Sequence, residues 1–155
     1  MRYSVLISSL IISAGMAYGA VPTNEAERLE MDRFINELLS KMTLEEKLGQ
    51  LNLPVCGDIV TGQTIKSDIG ATVARGQAGG TFNIKGAQKA NELQEIAVTK
   101  TRLGIPLLVG LDVIHGYETV FPIPLALSCS WDMEAVEESA RIAASEASAA
   151  GVNWT

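Results

Sequence analysis

Asp112 follows directly on an apolar run, Pro106-Leu-Leu-Val-Gly-Leu111, that reads as a strand buried on both faces of a parallel sheet. In parallel α/β folds ligands bind at the carboxyl ends of the strands, so a carboxylate there stands where a ligand is met. An ionised carboxylate only accepts hydrogen bonds, and its two oxygens can hold two neighbouring hydroxyls of a polyol at once. Each such bond contributes about 1.5–3 kcal/mol where water is excluded. Spacing alone leaves two other roles open for Asp112: capping the next turn, or pairing with a structural cation.

The residues after Asp112 carry weaker signals. His115 falls in a loop, where a lone histidine is more often a packed, hydrogen-bonded residue than a ligand group. Tyr117 and Glu118 are candidates to line a pocket, and Phe121, Pro122 and Pro124 read as the rigid apolar floor of a long βα loop. Trp131 and Trp154 have the chemistry of sugar-stacking platforms, but a Trp beside a helix start or in a strand more often belongs to the core. Glu134, Glu137 and Glu138 fall at helical spacing and read as a solvated face.

Other chemistries lack their residues. His115 is the single histidine, and neither Cys56 nor Cys129 has a metal-ligand spacing, so no metal site and no cofactor are expected. The two cysteines read as small buried thiols rather than a disulfide. No Gly-x-Gly-x-x-Gly follows a strand, and neither a Walker loop nor a Gly-x-Ser-x-Gly is present. With 12 basic against 18 acidic residues, the chain of 155 has no footprint for nucleic acid phosphates. Its 19% charged and 47% hydrophobic content fits a globular domain or part of one.

The elements that must place Asp112 alternate. Asn24 with Glu27, and Thr43 with Glu46, are two helix-start patterns in tandem, predicting helices over 25–41 and 44–50. A short strand is expected at 51–55, interrupted by Pro54. A short helix through Ile65, Ile69 and Val73 should stop at Gly76, and a second strand should cover 79–83. A helix over 86–101 precedes the strand ending at Leu111. The last helix, capped by Asp132 and ended by Gly151, carries one small-residue stripe through Val136, Ala140, Ala143, Ala147 and Ala150, before a strand stub at 152–155. Three strands and a stub at this rhythm are right-handed βαβ units around a parallel sheet. An open doubly wound sheet and a (β/α)₈ barrel both begin this way.

Residues 1–19 stand apart. Arg2 supplies a positive start, Val5 to Ala14 is a short apolar run, and Ala17-Tyr-Gly19 is a small-x-small exit. This is the pattern of a secretory signal peptide, with 20–155 as the exported part. The predicted location is secreted or periplasmic, with no membrane association after removal of the leader.

Five segments in register carry a family resemblance: Met-Thr-Leu-Glu-Glu-Lys-Leu-Gly-Gln-Leu (42–51), Gly-Gly-Thr-Phe-Asn (79–83), Leu-Gly-Ile-Pro-Leu (103–107), Gly-Leu-Asp-Val-Ile-His-Gly (110–116) and Thr-Val-Phe-Pro-Ile-Pro-Leu (119–125). The series resembles the N-terminal part of family 3 glycoside hydrolases, in particular those of periplasmic β-glucosidase type, from about Ala26 to Thr155. The resemblance implies an α/β fold that is the N-terminal portion of a (β/α)₈ TIM-like barrel, about three βα units long and truncated. It implies substrate binding by Asp112, through hydroxyls of the sugar in the −1 subsite. It places the family's other subsite residues, its nucleophilic aspartate and its acid/base glutamate beyond Thr155, so no catalytic residue is expected in this sequence.

The implied parent hydrolyses terminal non-reducing β-D-glucosyl residues of an oligosaccharide or glucoside, with retention and without cofactor. Retention needs two carboxylates roughly 5–5.5 Å apart, so the 155 residues alone are expected to be inactive. A β-xylosidase or N-acetyl-β-glucosaminidase parent, and a non-catalytic sugar-binding or remnant fragment, are the alternatives. An exported solute-binding protein of similar strand–helix rhythm is a weaker one.

Overall fold

The computed structural model describes residues 24–57 and 68–155, so the expected leader at 1–19 and Ile65 lie outside the described residues. The chain divides into two compact units between Lys41 and Met42. In the first, Asn24 caps α1 (Glu25–Lys41) by accepting the Glu27 N–H on Oδ1 at 2.9 Å. Leu29, Phe34, Ile35 and Leu39 of α1 are exposed, and Leu38 is half-buried.

In the second unit Thr43 forms the predicted capping box of α2 (Leu44–Gln50). Its Oγ1 accepts from the Glu46 N–H, and the Glu46 carboxylate accepts from the Thr43 N–H at 2.8 Å. Glu46 also takes two bonds from the Arg102 guanidinium, at 3.0 and 2.5 Å. One carboxylate thereby ties the start of α2 to the segment before the central strand. Asp68 caps α3 (Ile69–Ala74) through the Ala71 N–H, and Gly76 ends the turn at φ +68°.

β1 (Gly80–Phe82) runs parallel to β2 (Leu108–Gly110), in the register Gly80↔Leu108, Thr81↔Val109, Phe82↔Gly110. The helix α4 (Ala87–Lys100) makes the crossover between them. The strand expected at 51–55 reduces to a single parallel bridge, Val55↔Phe82, because Pro54 has no N–H to extend the ladder. The stub at 152–155 contributes one parallel bridge, Gly110↔Trp154. Four parallel segments are therefore neighbours in sequence order. The pairing is consistent with a TIM-like barrel wall, whose strands follow one another in sequence order.

β2 and its flanks alternate. Leu107, Val109 and Leu111 are buried, whereas Leu108 is 55% exposed. Sequence predicted a strand covered on both faces; the structure covers one. Val109 packs with Ala90, Leu93 and Ala97 of α4, and the Gln94 side chain exchanges two hydrogen bonds with the backbone of Leu107, at 2.8 and 2.9 Å. On the opposite face Gly110 lies under two rings. A Cβ there would come within 2.6 Å of Phe82 and 2.8 Å of Trp154, which meet edge to face at 6.0 Å.

Two helices follow the loop after β2. α5 (Pro124–Ser128) was not foreseen: Pro124 sits in its first turn, where the absent N–H costs nothing, instead of flooring an irregular loop. Asp132 caps α6 (Met133–Ala149) through the Ala135 N–H at 3.0 Å. Ala143 and Ala147 of the predicted stripe are buried, Val136 is half-buried, and Ala140 is exposed. Neither cysteine is in a disulfide; Cys56 is half-buried, with its Sγ 2.6 Å from Thr81 Oγ1, and Cys129 is exposed rather than buried.

The Arg102 guanidinium, followed by the Thr43 backbone, holds the Glu46 carboxyl below its ordinary range. Its stabilising contribution is therefore present above the ordinary carboxylate pKa and fades as pH falls through the lowered value. Arg102→Ala should lower the melting temperature near neutral pH. The gap between variant and parent should narrow with acidification; a gap independent of pH would show that Glu46 is not the group involved.

Candidate functional site

The backbone on either side of Asp112 is fastened to the segment after α6. The Leu111 N–H donates to the Trp154 carbonyl at 3.1 Å, and the Val113 N–H donates to Thr155 Oγ1 at 3.2 Å. Leu111 packs inward on Ala147 and Val152. Strand alternation puts Asp112 on the same side as Gly110 and Leu108, at the carboxyl end of β2. The residue is exposed, and its carboxylate has no hydrogen-bond or ion-pair partner among the described residues. Asp68 and Asp132 differ, since each spends a carboxylate oxygen on a helix cap. The capping role left open for Asp112 is thus not used.

The loop after Asp112 is held in four ways. The Phe121 N–H closes it on the His115 carbonyl at 2.7 Å. Gly116 adopts φ +108°, and a Cβ there would lie 1.9 Å from the Thr119 carbonyl oxygen, so no larger residue fits. The Glu146 carboxylate of α6 then accepts the N–H groups of Glu118 and Thr119, at 2.9 and 2.8 Å, and the Thr119 hydroxyl at 2.6 Å. Led by the Thr119 hydroxyl, these bonds hold the Glu146 carboxyl below its usual range. Lys85, from the segment after β1, reaches Glu118 at 3.7 Å and lies 5.8 Å above the Tyr117 ring.

Sequence reasoning missed both Glu146 and Lys85. One signal for Glu146 was available: it occupies the last turn of α6, where the helix dipole disfavours a carboxylate, so a compensating partner was to be expected.

An open cleft of about 720 Å³ lies between this loop and α6, walled by Val113, His115, Phe121, Trp131, Val136 and Ala143 among others. His115 is exposed, with its side chain at the cleft and its carbonyl closing the loop. Trp131 is no core residue. It takes a left-handed backbone at φ +55° and is 92% exposed at the cleft. Trp154 is half-exposed against Phe82. Glu138 of the acidic cluster pairs with Arg141 on the surface of α6. Among the described residues, no three His, Cys, Asp or Glu side chains are placed to share a metal ion.

The sequence profile of the "Glycosyl hydrolase family 3 N terminal domain" matches residues 43–155. The chain belongs to glycosyl hydrolase family 3. It is 40% identical over 124 residues to the periplasmic β-glucosidase of Salmonella typhimurium, covering 80% of this chain and 16% of that protein. It is 27% identical over 147 residues to the lysosomal β-glucosidase of Dictyostelium discoideum, covering 79% and 18%. The chain thus spans about a sixth of the length of the curated relatives it matches. The β-glucosidase of Listeria innocua in complex with isofagomine superposes with a TM-score of 0.67 at 41% identity, over 77% of this chain and 17% of that one. A variant of that enzyme in complex with laminaribiose superposes with a TM-score of 0.63 at 37% identity, over 77% and 18%.

In this family 3 chain the match begins at the Thr43 capping box and takes in the whole second unit apart from Met42. The fold is an α/β N-terminal domain of that family. Gly116→Ala should break the loop without unfolding the sheet. Limited proteolysis should cut within 115–121 much faster than in the parent, while the melting transition moves little. An uncut loop would mean that another backbone path accommodates the Cβ.

Proposed function

We propose that this chain forms the first part of the barrel domain of an exported, retaining β-glucosidase, in which Asp112 binds the sugar ring undergoing hydrolysis. The observation that carries this reading is the Asp112 carboxylate itself: exposed, without a partner among the described residues, and set at the carboxyl end of the central parallel strand. A carboxylate so placed can accept from two adjacent pyranose hydroxyls. Its bonds tighten as positive charge develops on the ring in the oxocarbenium-like transition state, so it contributes to rate as well as to binding. Support also comes from the company the chain keeps, since the relatives named above are β-glucosidases and one was solved with laminaribiose.

In this reading residues 1–19 are the secretory leader and 20–155 supply about three βα units of the barrel. The nucleophile and acid/base carboxylates come from polypeptide outside residues 1–155. The exposed face of β2, with Leu108 and the Phe82–Trp154 ring pair, is the interior of that barrel, to be covered by its later strands. A periplasmic or secreted location is supported by the leader pattern and by the named location of the Salmonella relative. No helix among the described residues is long and apolar enough to cross a membrane.

The test is a graft. Residues 43–155 replace the matching segment of the Salmonella enzyme, and hydrolysis of an aryl β-D-glucoside is followed. The graft should remain active, and Asp112→Ala within it should lower kcat/KM by roughly a hundredfold or more, the loss of two charge-assisted bonds, at an unchanged melting temperature. An alanine variant that keeps its specific activity per folded molecule would refute the assignment.

A further inference from the structure

We propose that Glu146 is a positioning residue for the sugar site: it clamps the loop over 113–123 to α6 and so fixes the segment that leads directly out of Asp112. The consequence for substrate rests on the reading of Asp112 given above; the clamp itself does not. Three donors from two consecutive residues converge on one carboxylate from a helix 27 residues away in sequence. No other bond found among the described residues ties the tip of this loop to α6. The His115–Phe121 closure joins the loop only to itself, and the Lys85–Glu118 pair joins it to the segment after β1.

The placement fits a positioning role better than one of bulk stability. Glu146 is not a core residue, and it opposes the helix dipole at its own position, so its charge does not favour α6. What the charge does favour is one conformation of a loop that starts at a ligand-facing carboxylate and contributes His115 and Phe121 to the cleft. Through Tyr117, the same loop packs on Leu111, Ala147 and Val152, the cluster that holds the residue before Asp112. Releasing the tip therefore loosens both the cleft wall and the packing around Leu111.

The clamp is pH-dependent with a definite sign. Because its hydrogen bonds lower the Glu146 carboxyl from the ordinary range, the clamp persists through that range on acidification and lets go only below it. The other charged and titratable groups on the segments packed there are Asp112, His115, Tyr117 and Glu118 on the loop, and Lys85 beyond it. On α6 the nearest is Arg141, which is paired with Glu138.

Hydrogen–deuterium exchange on the full 155-residue chain tests this, with protection corrected for intrinsic rates across a pH series. Amides of 118–119 should be protected at neutral pH and lose protection below the ordinary carboxylate range, while those of α4 do not change in parallel. Glu146→Gln should reduce protection at 118–119 roughly tenfold or more and flatten the pH profile, with α4 unaffected. Thr119→Val, which removes one of the three donors, should fall between. A loop equally protected in Glu146→Gln, a loss spread evenly over α4 and the loop, or no protection in the parent chain would each overturn the clamp. Failure of the sugar reading would instead appear in the graft kinetics of Asp112→Ala and leave this exchange pattern untouched, so the two failures are distinguishable.

Discussion

The alternation of β2 is the constraint on which the rest depends. Leu107, Val109 and Leu111 all face the helical layer, and each is nearly or completely buried. A strand has only two faces, so Leu108, Gly110 and Asp112 must share the other. A slip of one residue in register would bury the Asp112 carboxylate among alanines and leucines and turn Val109 outward, a change opposed by both transfer and desolvation free energies. The carboxylate faces outward because its neighbours are apolar. The Gln94 side chain reinforces the register by pairing with both backbone groups of Leu107, which fixes where the alternation starts.

The same strand organises what lies beside it. Gly110 has no side chain where Phe82 and Trp154 meet, so three parallel segments approach across one backbone. Gly151 meets a similar demand at the end of α6, where φ is +87° and a Cβ would fall 2.8 Å from Ala90. These two close approaches bring the 152–155 segment against β2, and its bonds to Leu111 and Val113 then bracket Asp112. The loop beyond is held by polar and apolar contacts together. The Gly116 turn and the Glu146 carboxylate set its backbone, and Val113 and Tyr117 pack on the cluster around Leu111.

What was legible in the sequence was local. The spans of α1 and α2, the Thr43 capping box, the Asp132 cap and the Gly151 stop are each specified within a few residues, and the structure reproduces them. The strands were placed but drawn too long, because ladder length depends on a partner: Val55 and Trp154 have one bridge each. The exposed side of Leu108 was invisible for a related reason, since an apolar run does not say how many faces will be covered. Trp131 read as core on residue type alone, whereas a left-handed backbone at the start of α6 turns it into solvent. At the candidate site the position of Asp112 followed from strand and loop reading. Its lack of a partner among the described residues did not, and neither did the Glu146 clamp, which joins segments nearly 30 residues apart. Such pairing is a property of the packed chain.

The proposed function requires the two Asp112 oxygens to hold a pyranose. It is tested most directly by a crystal structure of the Salmonella enzyme carrying residues 43–155, with isofagomine bound. Both carboxylate oxygens should lie within about 3.2 Å of adjacent ring hydroxyls. An Asp112 side chain turned into a protein ion pair, or an iminosugar bound at the opposite mouth of the sheet, would contradict it.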